Sequence, residues 1–229
     1  QTADDHVAIK TITVTTSTQL SAALKAATGG ETIVLSGSAK FSLIEADINP
    51  ASNVTITSAN PDAMATLSTL SLTRSSNVTI DSVQFNAAGV SRAEYLSDVN
   101  FTTCKNVALV NSVLTGTATA YNDGTAVVGD TAINVTFSSG VIVAGNVVHN
   151  YFRGLLSSDS SNVIVEGNEM TKIQGDGMQF TRMNTLLIKD NYLHDFLGSA
   201  HALNHDDMIQ FWTDGSKVPS KNITITGNI

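Results

Sequence analysis

A short pattern returns along this chain at an interval too long for one strand and too short for a domain. Asn53-Val-Thr-Ile recurs as Asn77-Val-Thr-Ile, Asn106-Val-Ala-Leu, Asn162-Val-Ile-Val and Asn222-Ile-Thr-Ile, with weaker copies at Gly140 and Thr185. The starts are separated by 24, 29, 34, 22, 23 and 37 residues, so a bare unit is 22 to 24 residues long and the longer intervals carry loops. A second mark follows in four copies: Gly145-Asn146, Gly167-Asn168, Asp190-Asn191 and Gly227-Asn228. A unit this short cannot bury its own apolar face and must stack on its neighbours. Within one unit Val163 and Val165 share a face and Ile164 takes the other, the period of a strand.

Composition supports strands over helices. Of 229 residues, 42% are hydrophobic, 6% aromatic and 14% charged, and the apolar set is mainly Val, Ile, Leu and Ala between Thr, Ser, Asn and Gly. The expected fold is all-β: a right-handed parallel β-helix forming one domain over 1–229, with a cap over about 1–30 and coils over about 31–229. Recurrent Asn suits left-handed turns, and its amide can bond the same amide one coil away. At the N-terminal end Thr11–Thr15 reads as a strand. Ser17 or Thr18 would cap an amphipathic helix to about Ala27, and Gly29-Gly30 would end it. The last residue, Ile229, falls inside a repeat unit. The expectation is that the native chain continues or that another chain covers this end.

Net charge is -8 and no basic run occurs, which argues against duplex nucleic acid as a partner. No stretch of 18 apolar residues occurs, so no membrane span is expected. Cys104 is the single cysteine, so an internal disulfide is excluded.

The Thr18-Gln-Leu-Ser-Ala-Ala-Leu stretch, the Gly29-Gly-Glu-Thr-Ile-Val-Leu entry and the Asn-Val-Thr-Ile coils together resemble the pectate-lyase-like β-helix superfamily. The superfamily includes polysaccharide lyases, glycoside hydrolases, alginate epimerases and phage-type spikes. Asn204-His-Asp-Asp-Met-Ile-Gln-Phe-Trp212 is similar to a segment of alginate-epimerase-like β-helix proteins. The Tyr and Asp-Pro-His signature of those epimerases is not present, so no catalytic role is carried over. The resemblance implies a polysaccharide partner and an extracellular or secreted location, or the surface of a phage-like particle.

Counting forward from Asn146, Asn168 and Asn191 aligns His149, Thr171 and His194. Further along, Arg153, Asp176 and Asp207 fall in comparable places, and so do Leu156, Gln179 and Gln210. Strand parity turns Gln179, Thr181, Gln210 and Trp212 outward, a sugar-binding ladder beside an indole. The 37-residue interval holds His194, Asp195, His201, His205, Asp206 and Asp207. The function read from these residues is a lyase or C5-epimerase acting on an acidic, uronate-containing polysaccharide. Proton abstraction beside a uronate carboxylate needs a base (His194 or His205), an acid (Tyr151 or Tyr192) and cations on the carboxylate (Arg153, Lys172 or Arg182). Hydrolysis would instead use Asp176 and Asp207 as paired carboxylates. Calcium at His205, Asp206 and Asp207 is an open option, without tight ligand spacing. The competing reading is a carbohydrate-binding spike or adhesin without chemistry, trimeric if a spike. The plain alternatives are turn-capping for the aspartates, a surface loop for the histidines and a structural ladder for the glutamines. The insertions near Val90–Thr103 and Thr117–Thr131, with Tyr95, Tyr121, Asp123 and Asp130, would wall the same groove.

Overall fold

A computed structural model describes residues 10–86, 97–118, 130–198, 206–213 and 215–229. The chain winds as a parallel β-solenoid of about seven turns with one short helix near its N-terminal end. Three faces run the length of the solenoid. The back face stacks nine strands: Thr11–Val14, Thr32–Leu35, Val54–Ser58, Ser76–Asp81, Lys105–Val110, Ser139–Ala144, Ser161–Glu166, Asn184–Lys189 and Lys221–Thr226. The narrow face stacks three-residue strands: Gln84–Asn86, Val113–Thr115, Val147–His149, Glu169–Thr171 and Tyr192–His194. The front face stacks Phe41–Ala46, Thr66–Thr73, Ser97–Thr102, Thr131–Thr136, Arg153–Ser158, Met178–Thr181 and Ile209–Phe211. Thr66–Thr73 is long enough to pair with both the narrow face, at Leu67↔Phe85, and the front face, at Leu70↔Val99.

Alternation along each strand fills the core. Val163 and Val165 are buried, and so are their partners Val141 and Val143 before them and Leu186 and Ile188 after them. On the narrow face Phe85, Leu114, Val148, Met170 and Leu193 form one inward row. At about 25 cal/mol per Å² of apolar surface removed from water, these rows are the main source of stability.

The recurrent asparagines do two different jobs. Asn77, Asn106, Asn162 and Asn222 take left-handed φ values of 52 to 57° at the start of back-face strands. There Asn106 Nδ2 donates to Asn77 Oδ1 at 3.3 Å. Asn146, Asn168 and Asn191, each 1% exposed, form a buried ladder at the corner between back and narrow faces. The Oδ1 of Asn168 accepts from the backbone N–H of Asn146 at 3.0 Å and from its Nδ2 at 2.9 Å. Asn191 does the same for Asn168, and Asn228 for Asn191. Each Nδ2 of the three also donates to a carbonyl of the adjoining coil: Leu109, Val143 or Val165. A matching hydroxyl ladder lies at the corner between front and back faces. There the backbone N–H of Cys104 donates to Ser138 Oγ at 2.9 Å and that of Ser138 to Ser160 Oγ at 3.1 Å. Cys104 occupies a serine position in this row, and burial pushes its thiol pKa up.

The helix spans Ser17–Ala26 and is capped by Thr16, whose hydroxyl accepts from the Gln19 N–H at 3.2 Å. The cap thus precedes both expected positions, Ser17 by one residue and Thr18 by two. Leu20 and Leu24 are fully buried and join the core of the first coils. Glu31 closes the entry to the first coil by accepting the N–H groups of Thr28 and Gly29 at 3.0 and 2.7 Å, which hold its pKa at about 2. Among the described residues no helix is long and apolar enough to cross a membrane.

Candidate functional site

Strand register settles which predicted residues stand together. Leu156 pairs with Gln179 and Gln179 with Gln210, so the outward row on the front face runs Ser71, Asn100, Asn134, Leu156, Gln179, Gln210. Asn134 Nδ2 donates to Asn100 Oδ1 at 3.2 Å in the same row. The register also sets Arg153, Asp176 and Asp207 in one row at the entry edge of this face. Gly154 N–H donates to Asp176 O at 3.2 Å, and Gly177 N–H to Asp207 O at 2.8 Å.

Two glycines bring these coils close. A Cβ on Gly177 would stand 2.6 Å from the Met208 carbonyl oxygen, and one on Gly154 would stand 2.5 Å from that of Gly177. Their absence lets the aspartates of successive coils pack directly. The Asp207 N–H donates to Asp176 Oδ1 at 3.4 Å, and Gln210 Nε2 donates to Asp207 Oδ2 at 3.0 Å. Arg153 Nε lies 3.7 Å from Asp176 Oδ2, and its guanidinium sits 5.4 Å from the Phe152 ring centroid. The Asp176 side chain is only 8% exposed, whereas Asp207 is partly open to solvent. One edge thus carries a buried carboxylate beside a cation and, one coil on, a more accessible carboxylate held by an amide. Trp212, 41% exposed, stands at the opposite edge of the face, its backbone N–H donating to Phe180 O at 2.8 Å.

The remaining predicted residues lie elsewhere. His194 ends a narrow-face strand, in a row with Asn86, Thr115, His149 and Thr171. Its ring stacks on Tyr192 at 4.0 Å. Nδ1 meets Asp195 at 2.9 Å and Nε2 meets Glu169 at 3.2 Å. These two carboxylates, Asp195 first, raise its pKa. With both ring nitrogens engaged, this imidazole has neither free to take a substrate proton. Lys172 is exposed at the next turn of the same corner, with φ 53°. Tyr151 is not on the surface: it is 1% exposed, and its hydroxyl donates to Asp98, a buried carboxylate that sequence reasoning did not single out. Arg182 occupies the corner between front and back faces and bonds Asp159 through Nε and Nη2 at 2.5 and 2.6 Å. That pair repeats Arg74–Asp47 four coils earlier, so its geometry is that of a corner tie. His205, with His201, Tyr95, Tyr121 and Asp123, lies outside the described residues.

One topological fact joins the site to the rest of the chain. The connections over 87–96, 116–130 and 195–208 all leave the narrow face and re-enter the front face at the edge that carries Arg153, Asp176 and Asp207. Among the described residues no group of three or more His, Cys, Asp or Glu side chains is placed to hold a metal ion.

The family model described as right handed beta helix region matches residues 33–229. No curated relative matches the chain. Among solved structures, a candidate glycosyl hydrolase from Parabacteroides merdae is similar over 96% of this chain and 97% of its own, with 10% identity and a TM-score of 0.50. An alginate lyase from a Paenibacillus species is 12% identical, covering 88% of this chain and 99% of that one, at a TM-score of 0.37. Tailspike protein 2 of the Escherichia coli O157:H7 bacteriophage CAB120 is 12% identical, covering 87% of this chain and 30% of that one, at a TM-score of 0.40. At these identities the likeness is one of fold.

Proposed function

This chain belongs to the right-handed β-helix family, and on that premise we propose that it binds a polysaccharide on its front face and cleaves it by hydrolysis at the Asp176–Asp207 edge. The observation that carries the reading is the superposition of two Asp-x-x-Gln units, Asp176 to Gln179 and Asp207 to Gln210, on adjoining coils. Glycosidic hydrolysis needs one carboxyl group to protonate the leaving oxygen and a second to activate water or attack the sugar. Two aspartates in unlike surroundings at one edge are the candidates for those two roles. Gln179 and Gln210 supply amides for sugar hydroxyls, and the partly exposed Trp212 supplies a ring for a pyranose face. Such polymers are met outside the cell or on a particle surface, and that is the location this reading implies.

Elimination or epimerisation of a uronate is the second reading. It is favoured by the Arg153 guanidinium and the two amides, which are donors suited to a uronate carboxylate. It is weakened by the engagement of Arg153 with Asp176 and of His194 with Glu169 and Asp195.

The experiment is incubation with alginate, polygalacturonate and a neutral glucan. Reducing ends, ultraviolet absorbance of an unsaturated product and uronate composition by NMR are followed together. Hydrolysis gives reducing ends without absorbance, and Asp176→Asn or Asp207→Asn lowers the rate at least ~100-fold. Absorbance that rises with cleavage replaces hydrolysis by elimination. A changed uronate composition without cleavage replaces it by epimerisation. Binding without any product leaves a spike or adhesin, for which a trimer in solution is expected. Full activity in both asparagine variants overturns the site.

A further inference from the structure

The corner between front and back faces holds one residue of each of six successive coils in the left-handed region: Asp47, Arg74, Thr103, Phe137, Asp159 and Arg182, with φ between 49 and 61°. All but one are polar, and four of them tie neighbouring coils as the pairs Arg74–Asp47 and Arg182–Asp159. Phe137 is the exception. The residue is 63% exposed, and a bulky aromatic residue is disfavoured in this conformation. Among the described residues every other non-glycine side chain in this conformation is polar, from Asn111 and Asp190 to Ser82, Thr103 and Arg182. Among the described aromatic side chains Phe137 is the most exposed, ahead of Tyr192 and Trp212.

We propose that Phe137 is a second sugar-stacking platform, engaged by a polysaccharide that starts at the acidic edge and crosses the front face obliquely. The inference rests on the polysaccharide reading and extends it to the length of chain the protein recognises. Phe137 follows Thr136, and Trp212 continues the same row after Ser158 and Thr181, so the two rings mark one edge of the front face three coils apart. At about 4.8 Å per coil, the separation along the solenoid is ~14 Å. The acidic edge lies across the face, roughly 20 Å away at about 3.3 Å per residue. The outward side chains on the oblique line between Asp207 and Phe137 are Gln179, Leu156 and Ser158, amide, alkyl and hydroxyl in turn. A monosaccharide or disaccharide cannot reach from the carboxylates to Phe137, and a chain of several sugars can. Phe137 is therefore a length-reading residue that touches the ligand and takes no part in proton transfer.

The test compares wild type, Phe137→Asn and Phe137→Trp. Affinity gel electrophoresis in alginate, polygalacturonate and neutral glucan measures polymer binding, and calorimetry measures binding of the trisaccharide of whichever polymer is retained. Asparagine accepts the left-handed conformation, so the Phe137→Asn variant folds, with a thermal midpoint at or above that of the wild type. The expected result is a loss of about 3- to 10-fold in polymer affinity, the size of an aromatic stacking contribution. Trisaccharide affinity stays unchanged and Phe137→Trp restores the polymer. Unchanged polymer affinity in Phe137→Asn, with cleavage still abolished by Asp176→Asn, overturns the platform and leaves the acidic site standing. Retention of none of the three polymers by wild type overturns both.

Discussion

Two corners of the solenoid differ in one respect that organises everything else. Between back and narrow faces the turn is two residues in five successive coils: Ser82-Val83, Asn111-Ser112, Gly145-Asn146, Gly167-Asn168 and Asp190-Asn191. Between narrow and front faces the connections are 87–96, 116–130, 150–152, 172–177 and 195–208, a different length each time. The first corner is locked by side chains that satisfy the backbone of the coil beside them, so an added residue would strand several buried donors. The second has no such ladder among its described residues. There the chain is free to vary, and there the unlike side chains Arg153, Asp176 and Asp207 gather. Repetition marks the scaffold, and its interruption marks the candidate site.

The sharpest way to break this contrast is to lengthen both corners. Three extra residues between Gly167 and Asn168 are expected to abolish the cooperative unfolding transition or to lower stability by more than about 4 kcal/mol. The same insertion after Ala200 is expected to shift it by less than about 1 kcal/mol. Urea denaturation of the two variants decides, and equal losses would erase the distinction. Next in size is Asn168→Ala. It removes the acceptor for two donors of Asn146 and a buried donor of its own, and a loss of about 3 kcal/mol is expected on the same curves.

A smaller effect probes the variable corner through pH. The folded-state pKa of His194 is raised above its ordinary 6.5 by Asp195 and Glu169. Its contribution is therefore fully present below pH 6.5 and is lost as pH rises through the folded value. The thermal midpoint should fall across that window in wild type, and His194→Gln should flatten the fall. An unchanged slope in the variant would assign the pH dependence elsewhere. The smallest change should run the other way. Ser157 is fully buried, its hydroxyl oxygen has no hydrogen-bond partner among the described residues, and it lies between Val135 and Phe180 in an inward row. Ser157→Ala is expected to raise stability by up to about 1 kcal/mol, read as a higher midpoint in urea.

Much of the scaffold was legible because it rests on identical residues at one spacing. Asn146, Asn168 and Asn191 announce a ladder by recurrence alone, and the alternation of Val163, Ile164 and Val165 gives the strand and its inner side. Matching the stretches beyond those marks also places Arg153 with Asp176 and Asp207, and Leu156 with Gln179 and Gln210, as the register does. The hydroxyl ladder was equally available, since Ser138 and Ser160 repeat at the same 22-residue step as Asn146 and Asn168. It was missed because serine recurs too often in this chain to stand out.

What counting cannot give is the face on which a row lies. His194 and Asp176 look like members of one site in sequence, yet they end on the narrow and front faces, and His194 spends both ring nitrogens on its neighbours. Tyr151 looks like a surface acid. It is a core residue because corner positions follow no two-residue alternation. Arg182 looks like a substrate cation, and its partner Asp159 is one full coil away. Phe137 escaped notice because its oddity is a backbone angle.

The Asn ladder has a further consequence for how such a chain changes over generations. Each rung offers the coil on one side the same acceptor that it takes from the coil on the other, at steps of 22 and 23 residues. Copying or deleting one whole rung-to-rung segment therefore rejoins matching ends, with no buried amide left over. Removing half a segment does not. The molecule is thus built to grow or shrink in complete windings, adding length to its front face while the fold elsewhere stays as it was.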